Sequence, residues 1–344
     1  MNQTRLNSIP ILLGTLLVWY CMQAFAFAQK PVADPKLSLP NYPHVEWINN
    51  WPSEGNKPKK KNLKNQFNSV VLGKKTPVLS NPNSIFVIST DEFWVLDQGN
   101  KTVFQVKKGV GDIPHSIAKS DLDLASLVGI CAGPGSVILF TDSKTQKIYR
   151  ISPEKKKLEV LNDTMVLEQP TGIAYSSEKK EIWVVETKAH RIAVLNEKGE
   201  LIKRIGSRGN APGEFNYPTH IWIDPKGNIY INDAMNFRIQ VLNPAGAVIS
   251  VFGEAGDASG YLARPKGIAT DSFGNIYVVD ALFHVVQVFD IKGHFLYKFG
   301  SQGHGNGEFW MPSGIFIDAS DTIYVADTYN SRIQVFKLIH TESK

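Results

Sequence analysis

Six acidic residues recur at near-equal intervals: Asp97, Asp142, Glu186, Asp233, Asp280 and Asp327 are separated by 45, 44, 47, 47 and 47 residues. Carboxylates can hold a cation or exchange a proton with a substrate, but both tasks need several groups to converge. Regular spacing does the opposite and places one acid in each repeat. Each ends an apolar run, as in Ile-Tyr-Val-Val-Asp280. A carboxylate there can accept backbone N–H groups of the next turn, so all six read as structural. Arg191, Arg238 and Arg332 each follow an acid by five residues; Lys147 holds that place after Asp142 and Val285 after Asp280. These basic side chains are expected to hydrogen-bond between repeats.

The other reactive side chains do not assemble into a motif. His44, His115, His190, His284, His294, His304 and His340 fall in turns, loops or termini without metal-ligand spacing. His220 alone stands inside a repeated apolar segment, where a hydrogen-bonding role is expected and a ligand role is the alternative. Beyond the N-terminal segment Cys131 is the only thiol, so the fold cannot rest on a disulfide. Its apolar context, Ser-Leu-Val-Gly-Ile-Cys-Ala, suits a buried, inert group. No Gly-x-Ser-x-Gly elbow, phosphate-binding loop or Cys-x-x-Cys-His occurs. These residues predict no catalytic set, no metal and no cofactor.

The elements that carry them are read from the repeat. Pro170, Pro218, Pro265 and Pro312 open similar segments 48, 47 and 47 residues apart. In the fourth copy, His220–Ile223, Ile229–Asn232, Arg238–Leu242 and Val248–Phe252 read as strands a to d, with Asp-Pro-Lys-Gly-Asn and Asn-Pro-Ala-Gly turns between them. Four strands per repeat in six copies make an all-β, six-bladed β-propeller with four antiparallel strands per blade. Blade six runs out of chain after strand c. Its outer strand must then come from the N-terminal side, because an open blade would leave an unpaired edge. His44–Ile48, bounded by Pro43 and Pro52, is preferred to Ser69–Leu72 as the closing strand, with Trp47 or Val45 packing on blade six.

The segments Pro-x-Gly-Ile-Ala, Gly-Asn-Ile-Tyr-Val-x-Asp and Asn-x-Arg-Ile-Gln-Val-Phe resemble the NHL-repeat signature over residues 81–338. The chain is also similar to secreted bacterial NHL proteins with a basic insert before the ring. The resemblance implies a binding scaffold. It also brings in two enzyme groups that share this architecture. Peptidyl-α-hydroxyglycine amidating lyases carry zinc histidines directly after the strand-a proline, where this chain has Thr171, Thr219, Lys266 and Ser313. Calcium-dependent propeller lactonases need oxygen ligands on the inner strands, which here are apolar. A divergent metal-dependent propeller enzyme of either kind is the alternative reading.

Residues 1–28 read as an export signal: Arg5, an apolar run from Ile9 to Tyr20, and Ala26-Phe27-Ala28 before a cut after Ala28. A membrane anchor over 9–28 is the alternative. Residues 29–80 form an extension and 81–340 the propeller. The net charge of +5 is concentrated in the extension: residues 81–344 hold 27 basic and 29 acidic side chains. That balance and the export signal argue against a nucleic-acid partner. Within the extension Lys57, Lys59, Lys60, Lys61 and Lys64 open a basic segment, 57–75, that could meet an anionic surface. On the propeller the b–c turns carry Met235, Phe237, Leu282, Phe283 and Tyr329. Large apolar residues in turns mark either tucked packing or a contact patch for a protein partner. The expected setting is the periplasm or the extracellular space.

Overall fold

The computed structural model describes residues 44–52, 79–107, 115–116, 123–152, 157–162 and 165–339. The signal-like segment, the basic lysines 57–75 and the alternative strand Ser69–Leu72 lie outside them.

Among the described residues the strands form six four-stranded antiparallel sheets. Five are built from consecutive strands, as in blade four: Pro218–Ile223, Ile229–Asp233, Arg238–Leu242 and Val248–Phe252. The inner strands of the other blades are Pro82–Ser89, Leu127–Ala132, Pro170–Ser176, Pro265–Thr270 and Ile315–Ile317. The sixth sheet is composite. Strand His44–Trp51 lies antiparallel along Arg332–Ile339, pairing His44 with Ile339 and Trp51 with Ile333. The N-terminal strand thus supplies the outer strand of blade six.

The closing strand runs on past the expected His44–Ile48 to Trp51, and of the two expected contacts it is Val45 that packs on blade six. Val45 packs partly buried on the Val325 and Phe336 cluster, but Trp47 faces outward. The pairing slips between Trp47 and Asn49. A bulge of this kind reverses which side chains face inward. Past the bulge Asn50 and Trp51, on opposite faces of the strand, are both buried, and the Trp51 ring meets Phe93 of blade one edge-on at 5.4 Å.

The core lies between neighbouring blades. Trp94, Trp183, Tyr230 and Tyr277 hold equivalent places on the b strands of blades one, three, four and five and are fully buried. Each such burial is worth about 2–3 kcal/mol against exposure. Phe215, Leu262 and Phe309 end the long loops into blades four, five and six, and insert between blades with no exposed surface.

The six repeat acids act as clamps at one end of the sheets. Asp97 accepts from the Ser80, Asn81 and Asn100 amides, and Asp142 from those of Ala125, Ser126, Lys144 and Thr145. Asp280 accepts from Ala263, Arg264 and Leu282. Each of these carboxylates therefore ties its b–c turn to the segment leading into strand a of its own blade. Asp233 and Asp327 add an ion pair, to Arg238 and Arg332, both at 2.7 Å. The two guanidiniums also donate to loop carbonyls, Arg238 to Asn210, Ala211 and Glu214, Arg332 to Gly305 and Glu308. Glu186 takes both Arg191 and Arg204. Burial pushes its carboxyl upward, but the two arginines outweigh that and hold it below the ordinary carboxylate value.

Candidate functional site

Two surfaces of the ring could receive a ligand: the face carrying the b–c turns, and the central channel that opens there.

On that face the residue two places after each repeat acid marks the tip of a b–c turn. In blades one to three these tips are Gly99, Lys144 and Lys188; in blades four to six they are Met235, Leu282 and Tyr329. The three apolar tips are 55%, 55% and 59% exposed, and both lysines are exposed as well. The face is therefore divided into a basic half and an apolar half.

The other two turn aromatics do not join the apolar tips. Phe237 is half-buried, packed on the Tyr230 and Ile239 cluster, and Phe283 is half-buried too. Phe237 closes a 3-10 turn, Ala234–Asn236, with φ 53°. His190 and His284 hold the equivalent left-handed place in their blades. Their Nδ1 atoms accept the Tyr217 and Met311 amides, so both rings serve as links into the next blade. Residues of the loop ends widen the apolar half: Tyr217 and Trp310 are exposed beside the tips. Trp310 connects two of them, since its carbonyl accepts the Tyr329 amide and its ring lies edge-on to His284 in the Leu282 turn. Sequence reasoning missed Tyr217 and Trp310. The signal was there, because each directly precedes or nearly precedes a strand-a proline, in a segment that returns to the b–c face.

The channel is built in rings by the inner strands. The place directly after the repeat proline, or after Leu127 in blade two, holds Asn83, Val128, Thr171, Thr219, Lys266 and Ser313 around the ring. The next place is Gly129, Gly172, Gly267 and Gly314 in four blades, Ser84 in blade one and His220 in blade four. Neighbouring strands nearly touch there: a Cβ on Gly172 would fall 2.8 Å from the Cα of His220, and one on Gly129 would fall 2.4 Å from the Thr171 carbonyl. His220 thus brings a large side chain into a ring otherwise kept small, and it lines both cavities of the channel.

One cavity is a throat of about 50 Å³ at the b–c face, lined by His220, Lys266, Thr219, Ser313 and Asn83. The other is a deeper chamber of about 200 Å³ walled by Phe86, Trp222, Phe316 and Tyr175 with isoleucines between them. Phe316 meets Phe86 at 5.4 Å and Trp222 at 5.6 Å, both edge-on. Cys131 also faces this chamber, and burial pushes its thiol far above the ordinary value. His220 was expected to hydrogen-bond; its ring has no hydrogen-bond partner among the described residues. Burial and the nearby Lys266 ammonium lower its pKa to about 4, which leaves it neutral near pH 7. Among the described residues no three of His, Cys, Asp and Glu come together as a metal-holding group.

A family model described as a 6-bladed beta-propeller matches residues 141–242 and 265–343, more than half of the chain. The chain belongs to that six-bladed β-propeller family. No curated protein sequence matches it. Among solved structures this propeller is similar to virginiamycin B lyase from Staphylococcus aureus, with 16% identity, a TM-score of 0.56, and 76% of this chain and 96% of the lyase covered. An auxiliary nutrient binding protein from Bacteroides thetaiotaomicron VPI-5482 is similar at 12% identity and a TM-score of 0.61, over 76% of this chain and 70% of that one. A chain of a nidogen/laminin complex is similar at 20% identity and a TM-score of 0.53, over 71% of this chain and 84% of that one. At these identities the likeness concerns the fold, and the NHL-type reading of the repeats is consistent with it.

Proposed function

We propose that this propeller is an exported, non-catalytic binding scaffold that engages a protein through its b–c face. The observation that carries the reading is the divided rim, with Met235, Leu282 and Tyr329 exposed on one half and Lys144 and Lys188 on the other. Apolar side chains gathered on one arc supply the contact area that an interface core needs. The lysines favour a partner whose complementary edge is acidic. The leader-like residues 1–28 support a setting outside the cytoplasm, and the lysines of 57–75 would add an anionic contact. Neighbours of the same fold include proteins named as a lyase and as a nutrient binding protein. Of these two, the binding role suits a ring whose repeat acids are already engaged by backbone amides and arginines.

Site-specific photo-crosslinking in the exported fraction tests this. A crosslinker at position 282 should trap one discrete partner. The same group at Phe273, exposed on an a–b turn at the opposite end of the sheets, should trap none. Combining Met235→Ser and Tyr329→Ser should abolish the adduct at 282. Equal trapping at 273 and 282, or none at 282, refutes the reading.

A further inference from the structure

Lys266 is the one cation of the throat, and its side chain makes no hydrogen bond or ion pair among the described residues. The other polar side chains at its level are already engaged. Ser313 Oγ donates to the Asn83 carbonyl at 2.7 Å, Asn83 Nδ2 donates to the Val128 carbonyl at 2.9 Å, and Thr219 Oγ1 accepts Asn232 Nδ2 at 3.0 Å. The first two bonds join neighbouring inner strands and the third ties strand a of blade four to its own strand b, which leaves Lys266 and His220 as the unpartnered groups among the described residues. The Lys266 ammonium feels the like charge of Arg264; burial and Arg264 together lower the lysine pKa. An ammonium taken partly out of water without a counter-charge costs free energy. A fold can retain it where an anion from solution completes the site.

Below this charge the character changes within a few ångströms to aromatic and aliphatic wall. The chamber of about 200 Å³ is smaller than the roughly 300–1,000 Å³ of sites for drug-sized ligands. It has room for one ring or a short acyl chain. We propose that the channel binds a small amphipathic organic anion, with its carboxylate at Lys266 in the throat and its apolar body between Phe86, Trp222 and Phe316. Neutral His220, at the junction of the two cavities, can donate one ring N–H to the same carboxylate. One ammonium, a neutral imidazole and no acid among the described residues of the throat disfavour a metal ion. The inference goes beyond the protein-contact reading of the rim and stands without it.

The probes are phenylacetate, 3-phenylpropionate and hexanoate, each against its neutral amide, titrated into the full chain by calorimetry. At least one acid should bind, and more tightly than its amide. Lys266→Met keeps the methylene stem and removes the charge. It should weaken the acid about tenfold, leave the amide unchanged, and leave the melting temperature unchanged or higher. Phe316→Ala should weaken acid and amide alike, and Ile249→Ser, exposed on the outer strand of blade four, neither. The proposal is overturned if no acid binds below about 10 mM, if amide and acid bind equally, or if K266M binds the acid as the native protein does.

Discussion

The closure of the ring yields a quantitative test at Trp51. Its side chain is 6% exposed and packs among Phe93, Tyr324 and Ile333. It therefore joins the N-terminal strand of blade six to blade one. Truncating a buried Trp to Ala costs about 3–5 kcal/mol. One contribution runs the other way: the buried indole Nε1 has no partner among the described residues, and removing it relieves about 1 kcal/mol of desolvation. The net expectation for Trp51→Ala is about 3 kcal/mol, or a fall of about 6–12 °C in melting temperature at the 2–4 °C per kcal/mol of a domain this large. Trp47→Ala is the internal control. Trp47 is 37% exposed, so its loss should cost at most about 1 kcal/mol. Starting the chain after residue 55 removes the whole strand and its ladder to Arg332–Ile339, and should cost more than either substitution. Differential scanning calorimetry of the three variants decides the matter. If W51A melts within about 2 °C of the native protein, or W47A costs as much as W51A, the strand is not the staple described here.

Two further outcomes follow from buried charge. Arg238→Ala and Arg332→Ala each strand a fully buried aspartate, Asp233 or Asp327, and should each cost about 3 kcal/mol in chemical denaturation. Arg150→Ala breaks only the exposed pair with Glu159 and should cost below about 1 kcal/mol; equal losses would contradict the clamp. His220 has a folded pKa of about 4, depressed by burial and by Lys266, against an ordinary 6.5. The unfolded chain therefore binds the proton first, and stability present above pH 6.5 is lost as pH falls toward 4. The depression corresponds to at most about 3 kcal/mol, less whatever the channel water screens. His220→Gln should flatten the melting-temperature profile between pH 6.5 and 4, and an unaltered slope would show that the ring is solvated.

The parts of this molecule that are legible in its sequence are those the repeat enforces. The proline-opened inner strands, the acids that end strand b and the loop-end Phe215, Leu262 and Phe309 recur because every blade must solve the same packing problem. The closing strand was readable from an unpaired edge in blade six and a proline-bounded apolar segment. Val45 was readable as a contact on blade six, but Trp51 was not, because the bulge after Trp47 shifts the inward face by one residue and no residue type announces it. Phe237 was illegible for a related reason. It holds a left-handed backbone place without glycine, and such a place turns the side chain back onto the blade. Lys266 was visible only as the absence of a histidine. Its neighbours on the ring, Thr171, Thr219 and Ser313, are small hydroxyl residues, and that contrast was the available signal.

The same rings show where the fold leaves a residue free to differ. At the glycine level, strand contact forbids a Cβ in blades two, three, five and six, so His220 there must be accommodated by the throat itself. At the level of Phe86, Cys131, Ala174, Trp222, Ala269 and Phe316, large and small residues share one ring. Ala269 in blade five leaves the space in which Trp222 of blade four reaches Phe316 of blade six, and Trp222 Nε1 is held by Thr270 Oγ1 at 3.0 Å. A uniform ring of alanines would widen the chamber, and one of phenylalanines would fill it. The mixed ring gives a pocket with an aromatic side and a small-residue side. The small-residue side of the chamber is lined by Cys131 and Ala174. A ligand held by the Lys266 charge would need that space beside Trp222 and Phe316. Filling it with Ala174→Leu should therefore block the bound body while leaving the Lys266 charge in place, which separates loss of space from loss of charge.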